Sequence, residues 1–209
     1  MMYMKRPIAI LISLALLILS YPLQANSLPK QFLDKMAELK QPLTRHVIVV
    51  DVTSQKLFLY NDHKIVTSYP ISTSSKGTGQ ESNSYKTPLG AHRIAEKIGQ
   101  NAPINAIFVE RKNTGKIWSP LPKGKREKVD LVLTRILWLE GLEKGFNQGI
   151  GKGGKSVDSF QRYIYIHGTN AEDLIGTPAS KGCIRMKNED LISLFAFVDS
   201  GSLVYISYF

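Results

Sequence analysis

The chain carries one cysteine in 209 residues, Cys183. A lone thiol cannot close an internal disulfide, so stability has to come from a packed core rather than from covalent staples. The four histidines, His46, His63, His92 and His167, are dispersed. With a single cysteine they offer no compact ligand spacing for zinc, and no metal site is expected. Long apolar runs are also missing. The longest, Ile8–Leu19, has about twelve residues, short of the ~20 that a bilayer-spanning helix needs. No internal repeat is visible. The glycine-rich stretch GFNQGIGKGGKS lacks the strand-to-helix order of a phosphate cradle, so no nucleotide cofactor is expected. Acids are scarce: 17 Asp and Glu stand against 27 Lys and Arg, a formal charge of +10.

What is present starts with an address. MMYMKRPIAILISLALLILSYPLQA places Lys5 and Arg6 before the short apolar run and small and polar residues after it, with Ala25 the last residue before a cut. Residues 1–25 are therefore read as a secretory signal peptide and the mature protein as extracytoplasmic, without stable membrane insertion. Leu23, large for its place three residues before the cut, keeps an uncleaved anchor open as the alternative. Only Lys5 and Arg6 belong to this leader, so the formal charge falls no further than from +10 to +8. Outside the cytoplasm such an excess suits anionic envelope polymers or lipid surfaces rather than nucleic acid, or is simply a solvated surface.

Residues 26–44 form a lead-in whose Phe32, Leu33, Met36 and Leu39 have helical spacing, stopped by Pro42. From Arg45 the pattern turns to strands. HVIVVDV, KLFLY and IVTSYPIST are separated by the turns TSQ and NDHK, which predicts an antiparallel meander. STSSKGTGQESNSYKTPLG reads as a surface loop, with Pro88 and Gly90 turning the chain into the strand AHRIAEKI. AIFVE is a further strand, ERKNTGKIWSPLPKGKREK a basic loop, and DLVLTRILWLEGL fits helix or strand. RYIYIHG alternates as a strand ending on His167. Asn188 is placed as the cap of a helix with Glu189 and Asp190 in its first turn, and LVYISYF closes as a strand. The sum over residues 45–209 is a β-rich domain, mainly β with one or two helices, folded as a curled sheet or sandwich.

The chemistry concentrates in IHGTNAEDLIGTPASKGCIRM, residues 166–186. Composition alone favours burial for a lone thiol. Its place after Gly182, in a polar loop, favours reactivity. A cysteine nucleophile needs a base, and the base needs a partner that holds its tautomer. His167 ends a strand, and the intervening loop with Gly176 and Pro178 is long enough to return the thiol beside it. Gly182 permits a positive φ and a close approach of backbone amides, as an oxyanion requires. Ser180 and Lys181 add polar donors. Arg185 suits a substrate carboxylate or an acid of the fold.

The pattern His-Gly, a gap, then S-x-G-C-I-R-M resembles the signature of the L,D-transpeptidases of the YkuD type. The resemblance runs from about residue 45 to 208 and includes the segment KTPLGAHRI. It implies the curled β-sandwich or barrel of that catalytic domain, acting on peptidoglycan stem peptides. Cys183 would attack the carbonyl between diaminopimelate and the terminal D-alanine of a tetrapeptide stem, forming a thioester. An amine, from another stem or from an envelope lipoprotein, would resolve it, the former giving a 3→3 cross-link. His167 would be the base, oriented by the Gly168 carbonyl, with the amides of Gly182 and Cys183 holding the oxyanion. The resemblance implies no metal or nucleotide. The chain departs from it at Lys181, where the family commonly has histidine; a cation there would favour the thiolate. The competing readings are an L,D-carboxypeptidase on the same scaffold, and a non-catalytic envelope-binding protein using Lys123, Lys125 and Arg126.

Overall fold

The computed structural model describes residues 27–122, 125 and 129–209. The leader, and Lys123 and Arg126 of the basic stretch, lie outside the described residues, while Lys125 is exposed. After helix α1 (Lys30–Glu38) come strands β1 (His46–Asp51), β2 (Lys56–Asn61), β3 (Lys64–Ser72), β4 (Gly90–Ile98), β5 (Ala106–Val109), β6 (Lys112–Ile117) and β7 (Val132–Gly141). Then follow β8 (Tyr165–Gly168), a 3-10 turn (Glu172–Leu174), β9 (Ile184–Met186), helix α2 (Asn188–Phe197) and β10 (Leu203–Ser207). The strands run β4-β10-β1-β2-β3-β9-β8-β7, and β7 pairs back with β4, so these eight strands close into a barrel. All pairings are antiparallel except β1–β10 and β8–β9. The β5–β6 hairpin projects from the start of β7.

The strand pattern explains the closure. Ile48 and Val50 of β1 face inward with Leu57, Leu59, Ile166 and Ile184, and α2 plugs this interior with Leu191, Leu194 and Phe195. The alternate residues Val47 and Val49 face outward, yet they too are buried, because Phe32 and Met36 of α1 cover them together with Tyr205. That double cover is why β1 reads as a continuous apolar run rather than an alternation. The lead-in helix is thus a lid on the outside of the barrel, each of its two anchors contributing about 1.5–3 kcal/mol of burial.

Three segments depart from the sequence reading. KNTGKI, expected as loop, is strand β6, exposed along its whole length; with no buried face it leaves no apolar periodicity to detect. The ambiguous DLVLTRILWLEGL resolves as β7, which pairs with β4, β5 and β8 and is buried on both faces. Asn188 is not a cap. It opens α2 with no side-chain cap bond, and its buried amide instead donates to the Thr169 carbonyl and to Glu172 while accepting from Thr134 Oγ1. An interior with several polar atoms to satisfy outweighs one exposed amide.

The glycine-rich loop between β7 and β8 does contain the spelling Gly149, four residues, then Gly154-Lys155-Ser156. No helix follows Ser156, and the loop amides of Gly151, Gly154 and Val157 are bonded to carbonyls of the loop itself. It therefore presents no phosphate cradle. Among the described residues no helix is long and apolar enough to cross a membrane, and no cluster of His, Cys, Asp and Glu could hold a metal.

Candidate active site

Parallel pairing of β8 and β9 decides which side chains meet. Ile166 is registered with Ile184 and His167 with Arg185, so one step back places Tyr165 opposite Cys183. Side chains alternate across a strand. Ile166, Ile184 and Met186 therefore enter the barrel core, while Tyr165, His167, Cys183 and Arg185 share the other face. The Tyr165 ring stands edge-on to the His167 ring at 6.5 Å between centroids. Thiol and imidazole are diagonal neighbours on one face of the sheet, sixteen residues apart in the chain.

The imidazole is fixed by one bond. His167 Nδ1 lies 2.8 Å from the Gly168 carbonyl. A carbonyl only accepts, so Nδ1 carries the proton and Nε2 holds the free lone pair. Burial pushes the His167 pKa down, against the opposing effects of Asp130 and of the Gly168 bond. Gly168 has no alternative at its position: a Cβ there would fall 2.2 Å from Asn188 Oδ1 and 2.8 Å from the Leu133 carbonyl.

The thiol is half-buried and held by backbone. The Tyr165 amide donates to Sγ at 3.4 Å, and Sγ donates to the Tyr163 carbonyl at 3.4 Å. Burial pushes the Cys183 thiol up to about 11, while the Tyr165 amide, Arg185 and Arg162 favour the thiolate and Asp130 opposes it. Lys181 is exposed and is not among the cations acting on the sulfur. Burial thus disfavours the charged form of both groups, the thiolate and the imidazolium.

The turn that presents the thiol is braced from two sides. Ser180 Oγ donates to the Cys183 carbonyl at 2.6 Å and accepts from the Gly182 amide at 3.2 Å. Thr87 Oγ1 donates to the Gly182 carbonyl and accepts from the Ser74 amide, each at 3.0 Å. Thr87 belongs to the Thr-Pro-x-Gly segment, so that segment clamps the turn before Cys183. Gly182 has φ +125°, a conformation that disfavours any side chain. Of the two amides expected at an oxyanion, the one of Gly182 is directed at Ser180, and the one of Cys183 lies outside this brace.

Several residues were not visible as functional in the sequence. Asp130 pairs with Arg185, so Arg185 meets an acid of the fold. Arg162, whose pKa burial lowers, bonds the carbonyls of Gly79, Gln80 and Lys86, tying the polar loop after β3 to the thiol's neighbourhood. Trp138 stacks on Phe160 at 3.9 Å, and Arg111 lies 4.8 Å from both the Trp138 and Tyr163 rings, forming an aromatic wall beside Cys183. Each depends on long-range pairing, and no local pattern marks it. His92 is buried against the Gly90 carbonyl and Ser159 Oγ, a structural role. A groove of about 870 Å3 between α1 and the glycine-rich loop includes Gln80 but neither Cys183 nor His167.

A family model described as the L,D-transpeptidase catalytic domain, YkuD, matches residues 45–206. The chain is 30% identical over 164 residues to the probable L,D-transpeptidase ErfK/SrfK of Escherichia coli K12, covering 78% of this chain and 44% of that protein. It is 34% identical over 163 residues to the Salmonella typhimurium LT2 protein of the same name, with the same two coverages of 78% and 44%. The chain thus spans under half the length of these curated relatives. Among solved structures, an L,D-transpeptidase from Mycobacterium smegmatis aligns with a TM-score of 0.47 at 15% identity, over 78% of this chain and 58% of that one.

Proposed function

The chain belongs to the YkuD family of L,D-transpeptidase catalytic domains, and from that premise we propose that it is an extracytoplasmic cysteine acyltransferase working on peptidoglycan stem peptides. The observation that carries the reading is the shared face of β8 and β9, with the His167 tautomer set by Gly168. In this scheme Cys183 Sγ attacks the carbonyl between diaminopimelate and the terminal D-alanine of a tetrapeptide. His167 Nε2 takes the thiol proton during the attack, since burial disfavours charge on either group beforehand, and returns it to the departing D-alanine amine. A positioned base of this kind supplies about 10²–10⁴ in rate. The Cys183 amide holds the developing oxyanion in a water-poor cleft, where such donors act strongly. A thioester remains. An amine acceptor resolves it, giving a 3→3 cross-link when it comes from a second stem or an anchored protein when it comes from an envelope lipoprotein.

The test is incubation of the purified protein with tetrapeptide-containing muropeptides, read by mass spectrometry, with Cys183→Ala as control. Stem dimers and released D-alanine, absent in the control, support transfer. Tripeptide monomers alone would replace it with hydrolysis, and no product would replace catalysis with envelope binding.

A further inference from the structure

The cleft face holds one pair that this scheme leaves unused. Arg185 lies directly across the ladder from His167, is 4% exposed, and donates through Nη2 to Asp130 Oδ2. Its Nε and the other carboxylate oxygen of the pair, Asp130 Oδ1, are buried with no hydrogen-bond partner among the described residues. Each such atom costs about 1–3 kcal/mol. Native structures seldom leave polar groups so, and the exceptions call for a specific reason. The Asp130 side chain keeps 25% of its surface open, so one member of the pair borders solvent.

A lone ion pair would satisfy either an anion or a cation. Here an unpaired guanidinium N–H and an unpaired carboxylate oxygen lie on one bonded unit, beside the base. A ligand that satisfies both carries a negative and a positive group within a few bonds, which describes an α-amino-acid centre. We propose that Asp130 and Arg185 form the acceptor subsite of the second half-reaction, selecting an amine whose own carbon bears a free carboxylate. The proposal rests on the transpeptidase reading above. Arg185 Nε holds the carboxylate, and Asp130 Oδ1 receives the ammonium and sets its nitrogen beside His167. The ammonium releases one proton to solvent through His167. The neutral nitrogen then attacks the thioester carbonyl; the C–N bond forms, the C–S bond breaks, and the second proton passes through His167 to sulfur. Asp130 also favours the charged imidazole that carries each proton. Water has no carboxylate to hold, so the subsite promotes transfer over hydrolysis.

The test loads the protein with a tetrapeptide donor and offers D-norleucine, D-norleucine amide and pentylamine together, with products counted by mass spectrometry. Wild type is expected to use D-norleucine over its amide by about tenfold or more, the worth of one charged hydrogen bond. That preference runs against the amide's less basic and more available amine. Arg185→Gln is expected to bring the ratio to within about twofold, and Asp130→Asn to lower amine transfer relative to hydrolysis about fivefold. Ratios taken within one sample do not depend on how much of a variant has folded. Equal use of acid and amide by wild type, or an unchanged ratio in Arg185→Gln, overturns the subsite and leaves the transpeptidase reading standing. If the donor forms no thioester on Cys183, both fall, and the failure is seen at the acylation step.

Discussion

The ionisation of Cys183 gives the sharpest test of the site. Burial raises the thiol from an ordinary 9.0 to about 11. Two units correspond to about a hundredfold less thiolate at neutral pH than an open cysteine would have, or about 2.7 kcal/mol. The sign follows from linkage. The folded value lies above the unfolded one, so the thiol's stabilising contribution is complete below about pH 9 and is lost as pH rises through 11. Between pH 8 and 10.5 the loss amounts to about 2 kcal/mol. Tyrosines and lysines titrate in the same range, so the quantity to measure is a difference. Urea unfolding of wild type and Cys183→Ser at both pH values should show wild type losing about 2 kcal/mol more. Alkylation by iodoacetamide should rise about tenfold per pH unit from 7 to 10 without a neutral plateau. A plateau near pH 7, or equal pH slopes for the two proteins, would refute the neutral thiol–imidazole pair and put a preformed ion pair in its place.

Thr87→Val should cost about 1–3 kcal/mol in urea unfolding, because the Gly182 carbonyl and Ser74 amide lose a buried partner, while Thr87→Ser retains most of the stability. Phe32→Ala should cost about 3–5 kcal/mol and speed hydrogen exchange in α1, since this fully buried ring fastens the helix to the barrel. His92 is lowered by burial from 6.5 to about 4, so its contribution is present above about pH 6.5 and fades as pH falls through 4. Wild type should lose about 3 kcal/mol more than His92→Gln between pH 7 and 4, and equal losses would show that His92 does not titrate in the fold.

The strands that were legible are those with a buried face. HVIVVDV, KLFLY and RYIYIHG each announce themselves, and the meander follows from their short turns. β6 was not legible, because an exposed strand carries no apolar rhythm, nor was β9, three residues inside a glycine-bounded loop. His167, Gly168, Ser180, Gly182 and Cys183 stood out because they lie within one segment. Asp130, Arg162 and Thr87 did not, since their partners lie many residues away and depend on the closure of the sheet. Lys181 is adjacent to the thiol only in sequence, at one remove, whereas the guanidinium groups that favour the thiolate come from Arg185 and Arg162.

β10 has a place in the ring that its place in the chain does not suggest. It follows His167 and Cys183 in sequence, yet it is the stave between β1 and β4, registered with Val47 on one side and Arg93 on the other. Until it is inserted, the first three strands and the fourth have no common neighbour, and α2 has no complete interior to fill. A polypeptide emerging amino end first has therefore exposed its sulfur and its imidazole before the vessel around them can be hooped shut. The ring around both groups therefore closes only with the strand that comes last in chain order.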